Sequence, residues 1–319
     1  MSKILANDGI SDSGKVALEE KGFQVITEKV DQENLIETIN KEDIKVLLVR
    51  SATTARKELI DACPNLKIIG RGGVGMDNID VEYAKEKGLE VYNTPAASSS
   101  SVAELVFAHL FGMVRFLYES NRQMPLEGDQ NFKSLKKAFS GGSELTGKTL
   151  GIIGFGRIGQ EVAKRAIGLG MNVLAHDKYT SEANITLNFF NGDKKTFTIE
   201  STSLKNVLRG SDFVTLHIPK LEDKAVIGAE EIGLMKDGAG IINTARGGVV
   251  DEDALMFSLD KGKLAYAALD VFTNEPNPSI HLMMHNNISL TPHIGAATLE
   301  AQDRIGEELA EKIISYFNK

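Results

Sequence analysis

Three glycines, Gly154, Gly156 and Gly159, follow the apolar run Thr149 to Ile153 at G-x-G-x-x-G spacing, and an acid, Asp177, stands 18 residues past the last of them. This is the pattern of a dinucleotide site. The first glycine allows a tight turn after a strand, the second lets backbone N–H groups approach a pyrophosphate, and the third lets the next helix pack against its strand. The helix N-terminus then faces the phosphates with unpaired N–H groups and its positive dipole end, so no basic side chain is required. Asp177 lies close to the ~20 residues at which a carboxylate hydrogen-bonds a ribose 2′-OH. A 2′-phosphate would meet like charge there, which favours NAD over NADP, although Lys178 next door is a neighbour able to soften the repulsion.

Glycines at this spacing also arise in ordinary turns, so the flanking elements carry the weight. Thr149 to Ile153 reads as a buried strand, Gln160 to Leu169 has helical apolar spacing (Val162, Ala163, Ala166, Leu169), and Met171 to Ala175 reads as the next strand. The same βα alternation fills the first third, with strand-like runs Phe23 to Ile26, Val46 to Val49, Lys67 to Gly70 and Leu89 to Tyr92. It continues after the glycines with Phe213 to His217, Gly240 to Asn243, Ala265 to Leu269 and Ile288 to Leu290. Parallel strands joined by helices gather ligands at their C-terminal ends. The expected architecture is therefore α/β, with two doubly wound parallel-sheet domains, Rossmann-like or flavodoxin-like.

Between the two runs, Asn93-Thr94-Pro95 ends a strand and Ser98 to Ser101 can cap a long helix through Tyr118 that buries Val102, Leu105, Val106, Leu110 and Met113. The stretch 119–147 is polar with few apolar anchors and reads as an arm reaching a partner subunit. The amphipathic helix Ala301 to Phe317 follows Thr291-Pro292 and is expected to return to the first domain. That domain is then discontinuous, 1–97 plus 289–319, with the dinucleotide-binding domain at 98–288. Ile185 to Phe189 and Lys195 to Ile199 flank Asn191-Gly192, which predicts a β-hairpin inserted as a neutral surface feature within 184–202.

A chain of 319 residues has room for two cores. Its 42% hydrophobic and 25% charged content fits neither a disordered nor a membrane-spanning protein, and a net charge of −8 argues against a nucleic-acid surface. Ile4-Leu5-Ala6 runs at once into Asp8 and Gly9, too short for a secretory signal, and the single cysteine, Cys63, forms no intrachain disulfide. Both point to the cytoplasm, with Cys63 structural. His281 and His285 are spaced to share a helix face, but without an H-E-x-x-H motif or a nearby cysteine no metal is expected.

The segments Val49 to Thr53, Gly70 to Asn78, Gly151 to Gly159, Thr244 to Asp251, Ala268 to Pro276 and Thr291 to Thr298 together resemble the D-2-hydroxyacid dehydrogenase family, within it most closely the phosphoglycerate dehydrogenase branch, over almost the whole chain. The resemblance implies NAD-dependent oxidation of a small anionic substrate, D-3-phosphoglycerate, to 3-phosphohydroxypyruvate, the first step of the phosphorylated serine pathway, by a homodimer or higher homo-oligomer. It implies a catalytic set of Arg246, Glu275 and His293. The imidazole takes the hydroxyl proton, the carboxylate fixes its tautomer and stabilises the imidazolium, and the guanidinium holds the α-carboxylate and the developing oxygen charge. Cofactor contacts carry over to Gly154, Gly156, Arg157, Ile158, Gly159, Asp177, His217, Pro219, Thr244, Ala245, Asp270 and Gly295. At His217 the backbone is expected to matter more than the ring. Backbone N–H groups of Val74 and Gly75 would bind the substrate carboxylate with Asn93 nearby, and Arg50 and Arg71, where two strands run out, would take the phosphate. Lys136 and Lys137 would extend that patch from a neighbouring subunit.

Two departures stand out. The family proline after the ribose-binding acid is Lys178, and the branch often carries C-terminal serine-binding domains while this chain stops at Lys319, so inhibition by that route is not expected. The alternatives are a glyoxylate or hydroxypyruvate reductase with the same catalytic set, and an NAD-sensing corepressor on the same fold. Arg50 with Arg71, and the lack of disordered tails, argue against the last.

Overall fold

The computed structural model describes residues 2–220 and 224–318, and its strands are mostly short apolar runs buried among helices. The chain divides into two units, Met1–Ser101 with Ala296–Lys319, and Val102–Gly295. In the first, β1 (Lys3–Ala6), β2 (Gln24–Ile26), β3 (Ile44–Val49), β4 (Ile68–Arg71) and β5 (Glu90–Asn93) form a sheet in the order β2-β1-β3-β4-β5. All its pairings are parallel. The order reverses between β1 and β3, and Asp8, just past β1, occupies that switch point. Its carboxylate accepts from the N–H of Arg50 (2.7 Å), the N–H of Thr53 (3.0 Å) and the Thr53 hydroxyl (2.7 Å), fixing the loop in which Arg50 sits. The helix Leu299–Phe317, capped by the Thr298 hydroxyl, buries Ile305, Leu309, Ala310 and Ile313 against Ile4, Val46 and Ile68 of this sheet.

The second unit carries β6 (Thr149–Ile153), β7 (Asn172–His176), the antiparallel pair β8 (Glu182–Asn188) and β9 (Lys194–Glu200), then β10 (Phe213–Leu216), β11 (Ala239–Asn243), β12 (Leu264–Leu269) and β13 (Ile288–Leu290). Its main sheet is parallel, in the order β13-β12-β11-β10-β6-β7. The reversal falls at β6, the strand that runs into the glycines, which is where open α/β sheets bind ligands. Two apolar clusters cover its faces, one around Leu216, Ile241 and Leu269, the other around Ile152, Phe155 and Val162. Where the sequence suggested a boundary at 288/289, the second unit instead runs on to Gly295, because β13 pairs with β12 and the backbone beyond it is tied to Asp270.

Three local expectations are corrected. The helix expected to reach Tyr118 spans Ser99–Val114, with Leu105 only half-buried. It stops because Phe116 turns into the left-handed region (φ 54°), which seats its ring near those of Phe139 and Tyr266. The stretch 119–147 is more regular than a polar excursion, containing most of the helix Leu117–Glu127 and all of Phe132–Ala138. His281 and His285 do not share a helix face, since that helix covers only Ile280–Met283. Cys63 caps the helix Lys57–Ala62 from a fully buried position, and burial pushes its thiol up to about 11. Among the described residues no single helix is long and apolar enough to cross a membrane.

Candidate active site

Pairing of the second sheet sets its ligand edge. Ile153 pairs with His176 and with Leu216, Leu216 with Asn243, Asn243 with Leu269, and Leu269 with Leu290. The residues one step beyond these partners are Asp177, Gly154, His217, Thr244, Asp270 and Thr291. They form one row along the C-terminal edge of six neighbouring strands, and five of them are expected cofactor contacts.

The glycine turn has the shape that a dinucleotide needs. A Cβ on Gly154 (φ 94°) would lie 2.4 Å from the His217 carbonyl oxygen, and one on Gly159 2.1 Å from the Gly154 carbonyl oxygen, so both are required by the protein's own backbone. Gly156, the helix N-cap, has nothing within 4 Å of such an atom, leaving open space in front of the exposed first turn at Arg157. The Asp177 carboxylate accepts from the N–H groups of Phe155 (2.6 Å), Tyr179 (2.7 Å) and Thr180 (2.9 Å), which ties the turn to the end of β7. Burial alone would raise its pKa; those backbone donors, with His176 nearby, outweigh it and hold the carboxyl below the usual range. Two buried polar atoms on the row, His217 Nδ1 and Thr244 Oγ1, have no protein partner among the described residues. Buried polar groups are rarely left so unless a ligand or water completes them, and this is the observation by which the edge fits NAD. Burial pushes the His217 imidazole down to about 3, so the ring is neutral; Thr215 Oγ1 lies 3.0 Å from its Nε2. Ala245 is buried beside Thr244, while Ile158 is half-buried and Pro219 exposed.

Beyond β12 and β13 the loops bring together an imidazole and two carboxylates. His293 Nδ1 lies 2.8 Å from Glu275 Oε2, and Glu275 Oε1 accepts the N–H of Phe272 at 2.9 Å. With Nδ1–H donating to the carboxylate, the lone pair of the ring is on Nε2. His293 has φ 55°, a left-handed conformation that costs an ordinary residue of order 1 kcal/mol and persists only where its surroundings impose it. Asp270 imposes it. Its Oδ1 accepts the N–H of Ile294 (2.8 Å) and the Thr291 hydroxyl (2.6 Å), and its Oδ2 accepts the N–H of Gly295 (2.8 Å).

Arg246 follows β11 in a loop pinned by Asn243, whose side chain accepts from Ala245 N–H (3.0 Å) and donates to the Arg246 carbonyl (2.9 Å). Its guanidinium donates to the Ala245 carbonyl at 2.6 Å. A Cβ on the next residue, Gly247, would fall 1.8 Å from the Phe272 carbonyl oxygen. The arginine loop therefore lies directly on the backbone segment that Glu275 anchors. Sequence reasoning passed over this contact, as it did Thr291 and His109; only the intact family motif around Gly247 hinted at the first.

In the first unit, Val49 pairs with Arg71 and Arg71 with Asn93, so Arg50, Arg71 and Asn93 stand together at the ends of β3, β4 and β5. The Asn93 side chain donates to the Val74 carbonyl (2.7 Å), holding the loop that contains Gly75. Arg71 turns back, with Nη1 3.3 Å from the Gly72 carbonyl oxygen. Lys136 and Lys137 are exposed on the helix Phe132–Ala138.

Residues 107–295 match the family described as "D-isomer specific 2-hydroxyacid dehydrogenase, NAD binding domain". Over 316 residues the chain is 42% identical to the hydroxypyruvate reductase of Thermotoga maritima, covering 98% of this chain and 97% of that protein. It is 41% identical over 315 residues to the D-3-phosphoglycerate dehydrogenase of Methanocaldococcus jannaschii, covering 98% of this chain but 57% of that longer protein. Among solved structures it resembles the TT0316 protein of Thermus thermophilus, with a TM-score of 0.85 at 30% identity over 100% of this chain and 97% of that one.

Proposed function

The chain belongs to the D-isomer specific 2-hydroxyacid dehydrogenase family and uses NAD, and from that premise we propose that it oxidises D-3-phosphoglycerate at C2. NAD, when bound along the second sheet's edge, supplies the hydride acceptor. Gly154, Gly156 and Gly159 with the helix start at Arg157 and Ile158 would hold its pyrophosphate, Asp177 its adenosine ribose, and Asp270 its carboxamide. His217, Pro219, Thr244, Ala245 and Gly295 would line the remainder. His293 accepts the hydroxyl proton on Nε2, while Glu275 stabilises the positive charge the ring gains. Arg246 binds the α-carboxylate and stabilises charge on the C2 oxygen.

The observation that carries the choice of substrate is the pair Arg50 and Arg71 at adjacent strand ends. Two cations, with the N–H groups of Val74 and Gly75 beside Asn93, suit a ligand with a dianionic phosphate and a carboxylate. Arg50→Ala is expected to raise KM for 3-phosphoglycerate by roughly ten- to a hundredfold, and to leave hydroxypyruvate reduction within about twofold. Steady-state assays in both directions check this. Unchanged kinetics on 3-phosphoglycerate would remove the phosphate assignment. A second reading, reduction of hydroxypyruvate itself, is supported by the near full-length identity with the Thermotoga maritima protein, and wild-type preference for the unphosphorylated keto acid would decide for it. The helix Leu117–Glu127, which buries none of its residues and exposes Leu117, Tyr118 and Leu126, supports the reading that a second copy covers this arm.

A further inference from the structure

His109 sits in the helix Ser99–Val114 among Val106, Leu110 and Met113, with 4% of its surface exposed. Such a ring is costly to bury unless its nitrogens are hydrogen-bonded. Both are: Nδ1 lies 2.8 Å from Ser289 Oγ and Nε2 3.0 Å from Thr291 Oγ1.

The direction of these bonds follows from Asp270. A carboxylate only accepts, so the single hydroxyl proton of Thr291 is committed to Asp270 Oδ1 at 2.6 Å. Thr291 Oγ1 must then accept from His109, which places the ring proton on Nε2 and leaves Nδ1 to accept from Ser289. Burial pushes the His109 pKa down against the pull of Asp270, in keeping with a neutral ring. The result is a one-way chain of donors, Ser289 to His109 to Thr291 to Asp270.

Glu275 holds the ring of His293, but its backbone is held from the end of this chain. Asp270 grips the N–H groups of Ile294 and Gly295 on one side, and the N–H of His293 donates to the Thr291 carbonyl (3.1 Å) on the other. We propose that His109 is a positioning residue for the reaction, acting through Thr291 and Asp270 to hold His293 in the left-handed backbone that aims its imidazole. The inference rests on His293 being the proton acceptor.

The test uses His109→Leu, which keeps the volume and removes both bonds, and His109→Gln, whose amide can donate to Thr291 and accept from Ser289. Thr291→Val breaks the chain at its next link. His109→Leu is expected to lower kcat about tenfold, with KM within about twofold, since small misplacements of a catalytic group cost one to two orders of magnitude. Hydrogen exchange at Ile294 and Gly295 should quicken, His109→Gln should recover most of the rate, and Thr291→Val should match His109→Leu. Rates are read for both 3-phosphoglycerate oxidation and hydroxypyruvate reduction. A wild-type kcat in His109→Leu overturns the proposal, as does an equal fall in the Leu and Gln variants that tracks lost thermal stability, which would mean packing alone. If His293→Ala itself turned over normally, the reading of His293 would fail. Exchange at Ile294 and Gly295 would still decide whether His109 holds the loop.

Discussion

His293→Ala is expected to lower kcat by about a thousandfold while NAD binds within about twofold of its wild-type affinity. General base catalysis is worth roughly 10²–10⁴ in rate, and the proposed base is tied down through both its ring and its backbone. Its Nδ1 is committed to Glu275 at 2.8 Å, Glu275 is in turn committed to the backbone of Phe272, and the left-handed backbone of the histidine is fixed from Asp270. A methyl group at 293 removes the proton acceptor and leaves the glycine turn, Asp177 and the rest of the cofactor row untouched. Single-turnover rates at saturating NAD, with calorimetry for cofactor affinity, separate the two effects. A variant that keeps more than about a tenth of the wild-type kcat would mean that proton removal lies elsewhere.

Gly247→Ala should also be damaging, though no role toward a reactant is proposed for the residue. The added Cβ would have to lie 1.8 Å from the Phe272 carbonyl oxygen and 2.8 Å from the Thr273 nitrogen. Both are backbone atoms that no side-chain rotation can move aside. Either the Arg246 loop or the Phe272–Glu275 loop must shift by about an ångström, and a displacement of that size costs on the order of a hundredfold in kcat/KM. Gly233→Ala is the control, because nothing lies within 4 Å of its added Cβ. It should leave the kinetics unchanged. Wild-type behaviour in Gly247→Ala would show that the arginine and glutamate loops are not interlocked.

Much of the sheet was legible in the order of residues alone, for a physical reason. β6 and β13 have the residues expected of them, β6 because a strand buried in the middle of a sheet is an almost wholly apolar run, Leu150 to Ile153, that ends sharply at the glycine turn. The hairpin announced itself through Asn191-Gly192, yet β8 begins at Glu182, where Ala183 and Ile185 are drawn in against the sheet's helix-covered face. The far end of the helix after Ser98 is not legible in the sequence, since nothing local warns that Phe116 will leave the helix for a seat beside Phe139 and Tyr266. The row of cofactor-side residues could be anticipated because each one ends an apolar run. His109, Thr291 and Gly247 could not, because their roles come from neighbours brought across the fold, 182 positions away in the case of His109 and Thr291.

The burial of Cys63 bears on how this protein can be handled. With its thiol pushed up to about 11 and no surface exposed, Cys63 carries almost no reactive thiolate at neutral pH. A cysteine introduced on the tip of the β8–β9 hairpin, at the wholly exposed Phe190, would be the sole thiol open to a maleimide dye. The native chain is in that sense already prepared for site-specific fluorescent labelling, with no background thiol to remove.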